Sequence, residues 1–274
     1  MSIMEAGLQS GDVVANGVRL HVVRGRREGR PAILFLHGLY DRWEIWRPAM
    51  VALAPEYDLI APDLRGHGRS DWPESGYRLS DYVDDAIGLL DRLAAREVAV
   101  IGHSLGAVVA ALVAAKDTAR VRAVVLEDPA LEQNDGTTEW LEMLLDAKRG
   151  TPEETYALIS EMRWDRDDAD WRRETEWLRG TADGPFVAML DRLDRDVDLF
   201  TALERITCPV LLLHADPAAG GALSESGAER ARQALRDGVY QRFPDTGHSI
   251  HHERPAEFVE IVSDFLRRAV LPGG

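Results

Sequence analysis

Val98-Ala99-Val100-Ile101-Gly102-His103-Ser104-Leu105-Gly106-Ala107-Val108-Val109-Ala110-Ala111 decides how this chain is read. Four apolar residues without alternation suit a strand covered on both faces, and the apolar run after Gly106 suits a buried helix. A strand turning sharply into a helix puts Ser104 in a strained elbow, where flanking glycines relieve the crowding. A bare G-x-S-x-G is common by chance. In this context it reads as a nucleophilic serine, set against a helix N-cap serine, which the same spacing permits.

Working outward, short runs rich in β-branched residues or leucine alternate with helical patterns. Strands are expected near Val18–Val23, Ala32–His37, Leu59–Pro62, Val98–Gly102, Val121–Glu127, Val210–His214 and Val239–Phe243. Helices fall near Trp46–Ala54, Leu79–Ala95, Ser104–Lys116, Ser224–Arg236 and Pro255–Ala269. This alternation predicts an α/β fold: a mostly parallel, doubly wound sheet covered by helices.

From Leu131 to Arg205 the alternation stops. The stretch reads as helices near Trp140–Asp146, Glu153–Arg163, Trp171–Arg179 and Phe186–Leu193, punctuated by glycine and proline. It holds 20 acidic and 10 basic residues, about −10 of the chain's formal −15, and four of its seven tryptophans. The expected organisation is a core of residues 1–130 and 206–274, with residues 131–205 inserted as a helical cap or lid.

Composition narrows the function. A net charge of −15 over 274 residues argues against nucleic acid, which needs a cationic footprint. The N-terminal stretch lacks the basic flank and apolar core of a signal peptide. The longest apolar run, Ala107–Ala115, is far short of the roughly 18 to 20 residues that span a bilayer. We therefore expect a soluble, cytoplasmic protein with a small-molecule substrate and no membrane partner; homodimerisation stays open. Cys208 is the single cysteine and reads as a small apolar filler rather than a reactive thiol.

A serine hydroxyl needs a histidine base, and that histidine needs a carboxylate to fix its tautomer. His248, in the turn-forming Asp245-Thr246-Gly247-His248 after the last strand, is the leading base. His21, His214, His251 and His252 read as structural or solvated, with His252 able to line the site mouth.

These stretches together resemble the α/β-hydrolase family. The resemblance rests on Leu36-His37-Gly38-Leu39, on Asp63-Leu64-Arg65-Gly66-His67-Gly68-Arg69-Ser70-Asp71, on GHSLG, and on Gly247-His248 followed by Glu253-Arg254-Pro255. It covers nearly the whole chain outside the insertion. It implies that the backbone N–H groups of Leu39 and Leu105 form an oxyanion hole. The Arg-Gly-His-Gly segment reads as a structural loop tied down by Asp63 and Arg65. The family's usual acid is missing, because alignment after the Val210–His214 strand puts Ala218 where it should stand. The alternative place, after the preceding strand, offers Glu127 and Asp128, which strand alternation sends to opposite sides. Asp128 is favoured, with Asp216 and Glu127 as alternatives. An acid there resembles the subgroup of zearalenone-type lactonases and acetamidomethylene-succinate hydrolase, the latter also through Asp71-Trp72-Pro73-Glu74-Ser75-Gly76-Tyr77.

A serine nucleophile disfavours the epoxide hydrolase and dehalogenase branches, whose nucleophile is an aspartate, and His103 before it disfavours ring-fission hydrolases. Acyl transfer to water is the expected chemistry, with no cofactor or metal. Tryptophans interleaved with charges suit a lid over a bulky, mostly neutral ester or lactone. The residues expected at the substrate are Tyr40, Trp43, His103, Trp164 and Trp177, with Arg42 beside them. An amide or enamide hydrolase acting on an anionic substrate is the alternative. It needs an unpaired arginine among Arg163, Arg166, Arg172, Arg173 and Arg179, and the acidity of the insertion argues that these are paired. A nearly silent ligand-binding member of the fold is the noncatalytic reading.

Overall fold

Ala32–Leu36, Val98–His103 and Val121–Glu127 lie side by side and in parallel at the centre of an eight-stranded sheet, with Leu36 opposite Gly102 and His103 opposite Glu127. The computed structural model describes residues 7–132, 135–162, 166–194 and 197–270. In chain order the strands are β1 (Gln9–Ala15), β2 (Val18–Gly25), β3 (Ala32–Leu36), β4 (Asp58–Pro62), β5 (Val98–His103), β6 (Val121–Glu127), β7 (Val210–His214) and β8 (Gly238–Arg242). They are ordered β1-β2-β4-β3-β5-β6-β7-β8. The pairs β1·β2 and β2·β4 are antiparallel and the rest parallel.

Every residue of β3, β5 and β7 is buried. Apolar clusters cover both sheet faces, which is why these strands read as continuous apolar runs rather than alternating ones. Helix α1 (Arg47–Leu53) and the C-terminal α11 (Pro255–Val270) share one cluster with the 3-10 turn Trp43–Trp46. On the other face lie α2 (Leu79–Arg92) and α3 (Leu105–Lys116). Nine of the twelve residues of α3 are buried, so this helix has no polar stripe.

Between β6 and β7 the described chain is helical: α4 (Asp135–Arg149), α5 (Pro152–Met162), α6 (Asp168–Arg179), α7 (Gly184–Leu190) and α8 (Leu199–Glu204). An isolated bridge pairs His67 with Thr181, and Ala182 N–H donates to Gly66 O at 2.7 Å, fastening this segment to the Arg65–Ser70 loop. That loop is tied as its sequence suggests. Asp63 accepts from Trp43 N and Arg69 N, and Arg65 is bound to Asp85 through Nε at 2.6 Å. After β7 come α9 (Glu225–Ala234) and, following β8, the single turn α10 (Ile250–Glu253).

Three elements were not anticipated. Strand β1 is an exposed edge strand with little apolar content, yet Asn16 (φ 49°) and Gly17 (φ 77°) form the Asn-Gly hairpin turn that pairs it to β2. Helix α8 is short and held by its Asp198 cap, and α10 is one turn.

Candidate active site

Ser104 sits between β5 and α3 with φ 53° and ψ −117°, a conformation costly for a residue with a Cβ. The glycines around it are required by space. A Cβ on Gly106 would lie 2.1 Å from Leu36 O, and one on Gly102 would lie 2.2 Å from Gly106 O, so helix, elbow and β3 approach at backbone distance. Ser104 makes no side-chain capping bond to α3, which removes the N-cap alternative and leaves its hydroxyl on the wall of a cavity.

The cavity is about 670 Å³ and lies beneath the β6–β7 helical segment, with Ser104, His248, Leu39 and Leu105 on its wall. His248 Nδ1 is 2.6 Å from Asp128 Oδ2, 120 residues away in sequence. Asp128 is wholly buried, with φ 40° at the end of β6. The loop after β7, in which Ala218 stands where an acid was sought, instead lends this carboxylate two donors: Ala222 N–H at 2.7 Å and Leu223 N–H at 3.4 Å. These bonds offset the cost of burying the carboxylate. The other two acids are engaged elsewhere. Glu127 accepts from His251 N at 2.8 Å and faces His251 Nδ1 at 2.8 and 3.0 Å. Burial alone would raise the Glu127 carboxyl, but the charge and hydrogen bonds of His251 outweigh it and hold it below the usual range. Asp216 accepts from Ala218 N and Asp245 N, each at 3.0 Å, bracing the loop that leads to His248.

Leu39 and Leu105 present backbone N–H groups that bond to nothing among the described residues, and both flank strained positions, Tyr40 (φ 52°) and Ser104. Two uncommitted donors on the serine's side of the cavity could receive a developing negative oxygen.

The residues expected at the substrate need correction. Among the described residues, none of Tyr40, Trp43, His103 or Trp177 lines the cavity. Trp43 is drawn into the core beside Trp46 and β3, Tyr40 backs the ring of Trp140 at 6.4 Å, and Trp177 is buried in α6 with Arg173 over its ring. His103 lies against the His248 ring at 4.5 Å. Trp164 and Arg163 lie outside the described residues. The wall instead includes Tyr77, Tyr82, Leu131, Trp140, Met162 and Met189, together with the charged Glu132, Arg192 and Asp194. Two partial signals were in the sequence: the Asp71–Tyr77 tract leads to Tyr77, and Trp140 is one of the insertion's tryptophans. Of the insertion arginines named from the sequence, Arg166, Arg172 and Arg173 are paired with acids as its acidity suggests. Arg166 pairs with Glu174, Arg172 with Asp168 and Arg173 with Asp170, while Arg179 donates to Lys148 O and Gly150 O. Arg192, which the sequence reading did not single out, is on the cavity wall and makes no ion pair among the described residues.

His103, Glu127 and His251 offer ligand atoms within 4.8 Å of one another and are the described group that could hold a cation. Their spacings of 2.8 to 3.0 Å between Glu127 and His251 are those of hydrogen bonds, which a proton satisfies. Cys208 is half-buried, and burial pushes its thiol up to about 11, away from thiolate chemistry. No helix among the described residues is long and apolar enough to cross a membrane.

A mostly parallel sheet with a strained serine after its central strand, an acid after the next strand and a histidine after the last defines an α/β architecture whose chemistry gathers at the strands' carboxyl ends. Residues 33–261 match the Alpha/beta hydrolase family, and the chain belongs to that family. In sequence it is similar to 2-(acetamidomethylene)succinate hydrolase of Mesorhizobium japonicum, at 43% identity over 106 residues, covering 39% of this chain and 38% of the relative. It is also similar to Epoxide hydrolase 4 of Mus musculus, at 37% over 101 residues, 36% of this chain and 28% of that one. The matched part thus spans under two-fifths of these relatives' lengths. Likeness to solved structures extends further. The crystal structure of E-2-(acetamidomethylene)succinate hydrolase aligns with TM-score 0.78 at 27% identity over 94% of this chain and 99% of that one. That of the enol-lactonase from Burkholderia xenovorans LB400 aligns with TM-score 0.79 at 23% identity over 93% and 99%, a likeness of fold.

Proposed function

We propose that this chain is a serine hydrolase that cleaves a carboxylic ester or lactone of a bulky, mostly neutral small molecule through an acyl-enzyme. The observation carrying the reading is the contact between Asp128 and His248 beside a cavity that Ser104 shares. In this reading Ser104 is the nucleophile, His248 the base, Asp128 its orienting acid, and residues 131–205 the lid over a core of residues 1–130 and 206–274.

As Ser104 Oγ attacks the carbonyl carbon, its proton passes to His248 Nε2 and the carbonyl π pair moves onto oxygen. The N–H groups of Leu39 and Leu105 receive that oxyanion. Collapse breaks the acyl–oxygen bond, the alkoxide takes the proton from His248, and the acyl group stays on Ser104. A water then repeats the sequence and frees the acid. Asp128 remains ionised, holding Nδ1–H so that Nε2 can act as base. The cavity volume falls in the range of drug-sized ligand pockets, and its aromatic and thioether wall suits an apolar substrate body.

The test is reaction of the protein with a fluorophosphonate and turnover of aryl esters and lactones, beside Ser104→Ala. Covalent labelling and turnover that both vanish in Ser104→Ala are expected. A folded wild type that neither labels nor turns over sinks the reading and favours a nearly silent binder. Arg192 favours a second reading, an amide or enamide of an anionic substrate, as the name of the Mesorhizobium relative suggests. Under it, Arg192→Leu loses turnover of an acylated enamine dicarboxylate about 10-fold or more while neutral esters are unaffected.

A further inference from the structure

Behind the triad lies a second set of buried acid–imidazole contacts that the acyl-transfer steps do not use. His103, the residue before Ser104, is 3% exposed. Its Nδ1 is 3.3 Å from Asp41 Oδ2, and its Nε2 is 3.1 Å from the carbonyl oxygen of His248. Asp41 belongs to the loop that carries Leu39, two residues earlier. One imidazole therefore touches three active-site segments: the oxyanion loop through Asp41, the nucleophile through the chain, and the base through its backbone carbonyl.

The chemistry of the contacts is constrained. A carbonyl oxygen only accepts, so His103 Nε2–H donates to His248 O. Nδ1 makes no hydrogen bond of proper geometry and faces the Asp41 carboxylate at 3.3 Å, while burial and the neighbouring His248 hold this imidazole below its usual pKa. Burial alone would raise Asp41, but the closeness and charge of His103, with help from His37 and His251, hold it well below the usual carboxylate range. The pair is closely fitted, since a Cβ on Gly38 would lie 2.7 Å from Asp41 Oδ2 and 2.8 Å from His103 Nδ1. It also sits between two strained residues, Tyr40 and Ser104, whose conformations persist only when their surroundings over-determine them. Neither member lines the cavity.

We propose that Asp41 and His103 form a positioning pair that sets the oxyanion donor Leu39 N–H and the base His248 at their working separation. This rests on the acyl-transfer reading, in which both must act on one carbonyl. Misplacement of reacting groups by about 1 Å can cost on the order of 100-fold in rate without weakening ground-state binding.

The experiment compares Asp41→Ala, Asp41→Asn and His103→Gln in the full chain. Ester kinetics are normalised to sites titrated with a fluorophosphonate, and melting is followed alongside. Asp41→Ala is expected to lower kcat per titrated site roughly 10- to 100-fold with KM within about 3-fold. Asp41→Asn is expected to restore kcat to within about 3-fold of wild type, because its amide N–H can donate to Nδ1 of a neutral His103 that still bonds His248 O. His103→Gln, which keeps an amide donor for His248 O and loses Asp41, falls between. If Asp41→Ala does not fold, Asp41→Ser carries the same expectation. Per-site kcat within about 3-fold of wild type in the Ala or Ser variant overturns the proposal, as does an Asn variant no better than Ala, or a loss carried by KM. A wild type that neither labels nor turns over overturns acyl transfer and this pair together, whereas an active wild type matched by Asp41→Ala overturns the pair alone.

Discussion

Asp128 Oδ2 and His248 Nδ1 meet at 2.6 Å, while the neighbouring Glu127 turns to the other side of β6 and meets His251 Nδ1 at 2.8 Å. Two adjacent acids thus hold two histidines three residues apart. Of these four, only His248 lines the cavity. Asp128→Asn should therefore lower kcat about 10³- to 10⁴-fold, since an amide no longer fixes the tautomer with Nδ1–H. Asp216→Asn should stay within a few-fold. Kinetics of the two variants on one aryl ester decide it, and a large loss confined to Asp216→Asn would move the acid to the loop after β7.

Glu127→Gln tests the inner pair. It leaves Asp128 in place but weakens two contacts to the turn after His248. The expected result is a loss of stability of about 1 to 3 kcal/mol by denaturant melts, with kcat per titrated site changed less than 10-fold.

Gly106→Ala should be severe. Its Cβ would lie 2.1 Å from Leu36 O and 2.5 Å from His37 O, backbone atoms that cannot swing away. The cost is on the order of 3 kcal/mol, together with loss of phosphonate labelling as α3 is pushed off β3. A variant with wild-type melting and labelling would mean that helix and strand can part at the elbow without cost.

Acid should destabilise the fold through His67. Its ring is fully buried, its Nδ1 faces Arg65 O at 2.8 Å, and burial together with His37 lowers it to about 3. The unfolded chain takes up this proton near pH 6.5 and the folded chain only near 3. Stability is thus full above about pH 6.5 and lost as pH falls toward 3, a loss on the order of 2 to 3 kcal/mol at pH 4.5 from this group. Urea melts from pH 7 to 4.5, compared with His67→Asn, measure it; a parallel pH slope in the variant would assign the loss elsewhere.

Trp140→Ala should enlarge the cavity beside the triad without touching Ser104 or His248. Bulky acyl groups are expected to show a KM raised several-fold and small acyl groups almost none, read from kcat and KM over an ester series.

The sequence by itself determined the sheet's central strands, the elbow and the identity of the serine, histidine and acid candidates. Each is written in local chemistry: unalternating apolar runs for strands buried on both faces, glycines where backbones touch, and an acid before Pro129 at a strand end. The Asn16-Gly17 turn carried the first hairpin equally locally, although β1 has too little apolar content to announce itself. Tertiary structure alone decided the partners. Alternation says that Glu127 and Asp128 diverge, but which one meets His248 depends on where the loops after β7 and β8 return, 94 to 124 residues away. The cavity wall was illegible for the same reason. Tyr40, Trp43 and Trp177 are as apolar as Tyr77, Tyr82 and Trp140, and only the packing of helices on the sheet separates the rings that fill the core from those that face the cavity.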